Sequence, residues 1–315
     1  MISQKVTVGA GSAFPLKGML TLPENLSAPA PAVVMVHGSG SSNMDEKVMK
    51  LTPFKDLAEG LAKRGIASLR YDKRTFAHPL KFGRLESPTV KEETIDDAVL
   101  AVRMLKRDPR IDAGRVYLLG HSMGAMLAPR IDAEGADAAG LVMMAGTPRR
   151  LEEVVLRQLR QAGSGRSLTN RIVRLEYGMY EKKFARLYEM SDDEAKKKKF
   201  AGKVSLYYFK EMGLKTAADY LLESEKPALI LQGGKDFQVL AEDDFRLFRE
   251  LLAERENTFF RLYPNLNHCF VDAICDDITK ASKEYGTERH IGKEVIDDIA
   301  SFILDADVLP EQAKP

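Results

Sequence analysis

Short unbroken apolar runs alternate with longer amphipathic stretches along most of the chain, and the two periods predict two kinds of element. Residues 5–9 and 16–22 read as antiparallel strands, the second closed by Pro23, with a Pro/Ala-rich connector over 28–31. Residues 32–36 are apolar without interruption, the mark of a strand buried on both faces. Residues 53–63 read as a helix with Thr52 at the N-cap and Pro53 at the first helical position, where a missing N–H costs nothing. The alternation repeats through strand 66–71, helix 91–106, strand 115–119, a helix that Pro129 should kink or shorten, and strand 141–144. Such an order predicts a mostly parallel sheet with helices on both faces.

From Pro148 to about Glu225 the alternation stops, over a length too great for a bare loop in a compact domain. Tyr177, Tyr180, Phe184, Leu187 and Tyr188 fall at helical spacing, so the stretch reads as a helical cap inserted between two core strands, broken at Gly163-Ser164-Gly165. The alternation resumes with strand 228–231, helix 241–253, strand 258–263 and a last amphipathic helix over 294–304. The expected organisation is a core of residues 1–147 and 226–315 around a cap of 148–225, with no internal repeat and a frayed tail after Asp305.

Composition narrows the classes of function. Hydrophobic residues make up 44% and charged residues 30% of 315, the balance of an ordinary globular protein with a large core. A net charge of +1 gives no pull toward nucleic acid or anionic membrane, and Lys196 to Lys199 reads as a solvated helix face. Cys269 and Cys275 imply no disulfide framework and are expected to stay reduced. Residues 1–10 lack the basic-then-apolar pattern of a secretory leader, and no apolar run approaches the ~18 residues of a membrane span. A cytoplasmic monomer or homodimer is the expectation.

Chemistry enters at Gly120-His121-Ser122-Met123-Gly124, directly after the apolar run ending at Leu119. Composition alone would produce such a glycine-bracketed serine about once in twelve chains of this kind, so its context decides. A strand before it and a helix after it place Ser122 on a sharp turn whose glycines leave room for close backbone approach. A serine hydroxyl needs a general base, itself oriented by a carboxylate, and in a sheet of this kind both should leave the carboxyl ends of later strands. Asp236, just past strand 228–231 in Gly233-Gly234-Lys235-Asp236, meets that requirement; its simpler reading is an Asx turn. Asp243 and Asp244 are rivals that fall in the next helix.

His268 follows strand 258–263, whereas His37, His78 and His121 precede Ser122 and His290 sits near the last helix; His268 is therefore the expected base. The N–H of Met123 and that of Ser39, with Gly38 second, are the candidate oxyanion donors, each worth about 3 kcal/mol in the transition state. In Arg70-Tyr71-Asp72-Lys73-Arg74, Asp72 and its arginines read as a structural ion-pair network, with Lys73 or Arg74 a substrate-binding alternative. Cys269 adjoins His268 but is not expected to act while Ser122 occupies the turn. No metal-ligand spacing and no cofactor motif is found, so neither is expected.

With these residues placed, the chain resembles bacterial α/β-hydrolase esterases of the dienelactone-hydrolase and acyl-CoA thioester hydrolase C-terminal-like group. The shared blocks are His37 to Gly40, Arg70 to Arg74, the serine turn with Met126 to Pro129, Leu231 to Gly234 with Asp236, Gln238 and Val239, Tyr263 to His268, and Glu284 to Gly286 onward. Ala125 departs from the group, where many members have glycine. The resemblance implies an α/β-hydrolase fold and hydrolysis of small-molecule carboxylic esters through Ser122, Asp236 and His268. Two other readings compete. One is an acyl thioesterase or small peptidase with the same residues, for which Arg149, Arg150 or the lysine run would hold a CoA phosphate; the other is a binding protein that has lost catalysis.

Overall fold

The uninterrupted apolar run after the Pro/Ala connector becomes the interior of the sheet. In the computed structural model, which describes residues 1–304, this strand, β3 (Ala30–Val36), is buried at every position. It begins two residues earlier than expected, because the Ala30 N–H pairs with the carbonyl of Arg110. The expected fraying after Asp305 lies outside the described residues.

The other strands are β1 (Ile2–Val8), β2 (Leu16–Leu22), β4 (Ala67–Tyr71), β5 (Ile111–His121), β6 (Leu141–Met144), β7 (Ala228–Gly233) and β8 (Thr258–Tyr263). The sheet runs in the order β1-β2-β4-β3-β5-β6-β7-β8, with β2 antiparallel to both of its neighbours, β1 and β4, and the remaining neighbours parallel. The mostly parallel sheet flanked by helices is as expected. From β3 the chain crosses to β4 on one side and then returns to place β5 on the other. The direction of winding therefore reverses at the β3/β5 pair, where open parallel sheets form a crevice at the strands' carboxyl ends.

Alternate side chains of each central strand feed two apolar layers. Val34, Val36 and Leu118 pack beneath α2 (Asp96–Leu105) and α3 (Met123–Ile131). Val33, Met35 and Leu119 pack against α1 (Pro53–Ala62) and α10 (Lys293–Leu304). Thr52 is the N-cap residue of α1 without a side-chain bond, so only Pro53 contributes there as the sequence implied.

Between β6 and β7 lie α4 (Leu151–Ala162), α5 (Leu168–Phe184), α6 (Asp192–Lys197), a short hairpin whose strands are Lys199–Phe200 and Val204–Ser205, α7 (Leu206–Met212) and α8 (Ala217–Leu222). The break at Gly163 to Gly165 falls between α4 and α5. Tyr180, Phe184 and Phe209 gather with Phe200 into an aromatic cluster that shares one apolar layer with Met126 and Leu127 of α3. Arg130 of α3 reaches out to pair with Glu211 of α7. The lysine run is not a helix face: Lys196 and Lys197 end α6, Lys198 caps it and pairs with Glu194, and Lys199 opens the hairpin.

Two helices expected to be regular start with a wider π turn: Lys91–Ile95 before α2, and Ala241–Phe245 before α9 (Arg246–Leu251). In each, the extra residue in the turn faces an acidic side chain inward, Glu93 in the first and Asp244 in the second. Pro129 sits within α3, which ends two residues later and passes into a third π turn, Asp132–Ala136, with Gly135 at φ 101°.

Candidate active site

β5 ends at His121, α3 begins at Met123, and Ser122 between them has φ 56° and ψ −118°, a conformation strained for any residue with a Cβ. The tight turn explains both glycines. A Cβ on Gly120 would lie 2.2 Å from the carbonyl oxygen of Gly124, and one on Gly124 would lie 2.1 Å from that of Val36. The Ser122 N–H bonds to the carbonyl of Met144 at 2.8 Å, which ties the turn to β6. Ala125 faces Gly146, where an added Cβ would come within 2.8 Å of its methyl, so the departure from glycine at 125 is accommodated by a glycine opposite.

Asp236 and His268, thirty-two residues apart in sequence, meet in the loops after β7 and β8: Asp236 Oδ2 lies 2.7 Å from His268 Nδ1, and both residues are buried. The Asx-turn reading of Asp236 holds as well, because its other oxygen accepts the N–H groups of Gln238 at 2.7 Å and Val239 at 3.0 Å. One carboxylate thus fixes its own loop and orients the imidazole. Gln232 Nε2 donates to the imidazole-facing oxygen at 3.1 Å. Among the described residues Ser122 Oγ makes no hydrogen bond to the imidazole; in hydrolytic sites that contact commonly tightens in the reactive complex.

The loop after β3 approaches the serine closely, since a Cβ on Gly38 would lie 3.1 Å from Ser122 Cβ. The Gly38 N–H, the second-choice oxyanion donor, is committed elsewhere: it donates to Glu46 Oε1 at 2.7 Å. Ser39 is exposed, and among the described residues no protein group accepts from its N–H. The Met123 N–H heads α3 with no helical partner of its own.

Glu46, which no sequence motif marks, joins the candidate site through its contacts. It is buried at φ 49°, and its second oxygen lies 3.0 Å from His121 Nδ1, while His121 Nε2 donates to the carbonyl of His268 at 2.8 Å. Burial opposes charge on both partners, but their mutual attraction outweighs it, holding the His121 imidazole above and the Glu46 carboxyl below their usual ranges. This ion pair joins the loop after β3, the serine turn and the histidine loop.

Lys73 is buried and not a surface binding group: its Nζ lies 2.6 Å from Glu93 Oε1 and donates to the Gly38 carbonyl at 2.8 Å. The arginines beside it are paired, although not with Asp72. Arg70 pairs with Asp45 at 2.8 Å and Arg74 with Asp97 at 2.6 Å, while Asp72 accepts the Met44 N–H. The rival Asp244 is occupied by Thr147 and Arg157, and Arg149 lies 3.3 Å from it. Cys269 is buried, and burial pushes its thiol well above the usual range. Of the remaining histidines, His78 bonds the Pro15 carbonyl and His290 pairs with Asp56.

His37 packs between Phe54 and Tyr71, and burial lowers its pKa to about 4. A histidine kept neutral in the folded state contributes stability above its unfolded value of about 6.5, and that contribution is lost as the pH falls toward 4. Urea midpoints at pH 7 and pH 4.5 should therefore diverge less for His37→Gln than for the parent, by on the order of 2–3 kcal/mol in unfolding free energy. An equal divergence would show that His37 is not the titrating group.

Comparison with known proteins bears on this geometry. A family model described as the alpha/beta hydrolase family matches residues 33–276. Esterase EstD of Thermotoga maritima is 38% identical over 289 residues, a match covering 92% of this chain and 65% of EstD, so the chain spans just under two thirds of that relative. Among solved structures, Est1E from Butyrivibrio proteoclasticus superposes with a TM-score of 0.58 at 16% identity, covering 96% of this chain and 98% of Est1E. The Pyrococcus furiosus esterase Pf2001 gives 0.58 at 16% identity, covering 96% of this chain and 92% of that one. These two likenesses speak for the fold alone.

Proposed function

The chain belongs to the alpha/beta hydrolase family, and on that footing we propose that it is a serine carboxylesterase acting on small to medium, largely uncharged acyl esters. The observation that carries the reading is the 2.7 Å contact between Asp236 and His268, whose carbonyl accepts from His121 beside the strained Ser122 turn. Ser122 Oγ attacks the ester carbonyl, and His268 Nε2 takes its proton and returns it to the leaving alkoxide. Asp236 holds the imidazole with Nδ1–H toward the carboxylate and stabilises the imidazolium. The tetrahedral oxyanion is received by the N–H groups of Met123 and Ser39, and water then cleaves the acyl-enzyme by the same steps in reverse roles. The relative EstD is named as an esterase, which supports this reading.

The helices between β6 and β7 act in this proposal as a cap that selects the acyl group, consistent with their Tyr, Phe and Met side chains. A thioesterase reading is less well supported, because several of the cations that would bind a CoA phosphate have other partners. Arg149 lies against Asp244, Arg150 stacks over Tyr188, and Lys198 pairs with Glu194. Among the described residues no helix is long and apolar enough to cross a membrane.

A fluorophosphonate probe tests the proposal directly. It should form one covalent adduct per folded chain, located by peptide mass spectrometry on Ser122, and p-nitrophenyl acetate should protect against it. A folded protein that forms no adduct, or forms it elsewhere, refutes the assignment. A parallel panel of p-nitrophenyl esters and acyl-CoA thioesters should give the larger kcat/KM for the esters.

A further inference from the structure

We propose that Lys73, Glu93 and Tyr208 form a positioning chain that aims the Ser39 N–H at the reacting carbonyl and makes that aim depend on the seating of the inserted helices. The inference rests on the reading of Ser39 as an oxyanion donor.

Its first link is peptide geometry. The Gly38 carbonyl and the Ser39 N–H belong to one planar trans peptide, so they point in opposite directions, and whatever grips the carbonyl also aims the N–H. Lys73 Nζ grips it at 2.8 Å from a side chain that is 1% exposed. A cation on the carbonyl also polarises the peptide and makes its N–H the stronger donor. The preceding peptide is held independently by Glu46 on the Gly38 N–H, so both planes flanking Gly38 are clamped by buried charges.

The second link runs outward. Lys73 Nζ is paired at 2.6 Å with Glu93 Oε1, carried inward by the π turn before α2. The other Glu93 oxygen accepts the hydroxyl of Tyr208 at 2.7 Å. Tyr208 belongs to α7, within the helices between β6 and β7, and its hydroxyl lies 3.5 Å from Met123 Sδ, on the residue that supplies the other proposed donor. Burial, and then the adjacent Glu93, push the phenol well above its usual range, so it stays protonated and donates. The chain thus links the inserted helices through two buried charges to the peptide that carries one oxyanion donor.

A buried ion pair is a poor way to gain stability, since an apolar pair of similar volume serves as well or better. Here the charges sit where a specific backbone orientation is needed, and the consequence is measurable. The experiment compares the parent protein with Tyr208→Phe and with the paired variant Lys73→Met/Glu93→Gln, which removes both charges together. Hydrolysis of p-nitrophenyl butyrate gives kcat and KM, and an alkyl trifluoromethyl ketone, whose adduct on Ser122 is itself an oxyanion, gives Ki.

The expected result is a fall in kcat of about three- to tenfold for Tyr208→Phe and about 10- to 100-fold for the paired variant, with KM within about twofold. Ki for the ketone should rise in proportion to the loss of kcat/KM, a readout that lost packing alone does not move. Unchanged kcat and Ki in both variants, or a rise in KM with kcat unchanged, overturns the inference. If the paired variant does not fold, Tyr208→Phe decides alone, and an unchanged kcat for it is a refutation. Parent protein that hydrolyses esters and labels at Ser122, with unaffected variants, refutes only this chain. Parent protein that does neither refutes the site reading, and this inference with it.

Discussion

Ser122→Ala should lower kcat for p-nitrophenyl butyrate by about 10⁵-fold or more while leaving the fold intact. The thiol next in sequence to His268, that of Cys269, does not offer a replacement: it is 2% exposed, and burial pushes it well above its usual range, away from the thiolate form. The small activity that remains would come from His268 acting on water with the backbone donors of Ser39 and Met123 still in place. Alanine keeps a Cβ at φ 56° and therefore relieves none of the strain of the turn. Ser122→Gly removes the Cβ, and should be equally inactive yet more stable by about 1–3 kcal/mol in urea unfolding. Substantial turnover by either variant, measured after exhaustive removal of co-purifying esterases, would mean that another residue performs the attack.

The second large effect is expected at Asp236, where the hydrogen bonds already present dictate how an amide would sit. In Asp236→Asn the side-chain oxygen must remain toward the Gln238 and Val239 N–H groups, which donate to the present Oδ1. The NH₂ is then forced to the position of Oδ2, where it faces His268 Nδ1 and also the donating amide of Gln232. The imidazole can accept that bond only as the tautomer with its proton on Nε2, the nitrogen that receives the serine proton in the proposed mechanism. A fall in kcat of about 10⁴-fold follows, with KM and the thermal midpoint little changed. Fluorophosphonate labelling should slow in parallel. A loss smaller than about tenfold would show that Asp236 merely holds its loop and that the base is oriented by something else.

How much of this was legible in the chain differs by residue. The serine turn, Asp236 and His268 lie at strand ends, and strand ends are what apolar runs and glycine pairs mark most clearly; the structure brings Asp236 and His268 together. The mostly parallel sheet flanked by helices followed from the same periodicities. Glu46 was not legible, because it belongs to no motif and reaches Gly38 and His121 only through a loop at positive φ, a conformation that composition does not announce for glutamate.

Glu93 and Asp244 fall within helices that the sequence marks as regular, and their burial was not legible. A π turn moves one residue by a fraction of a turn, which a period of 3.6 cannot register. The arginines of residues 70–74 were correctly read as structural, yet their partners, Asp45 and Asp97, come from elsewhere in the chain and not from Asp72. The Gly38 N–H looked available only because the carboxylate that accepts it could not be placed.

The inserted helices share one apolar layer with α3, and Arg130 of α3 is paired with Glu211 of α7. They are therefore not an exchangeable cassette. A segment transplanted from a relative would face Met126, Leu127 and Arg130, side chains fitted to the helices it replaced, on the same helix that begins at the serine turn. Under the proposed role of these helices, a change of substrate is expected to come from side-chain replacements within helices already bound to the core, and each such replacement would also alter the stability of the fold.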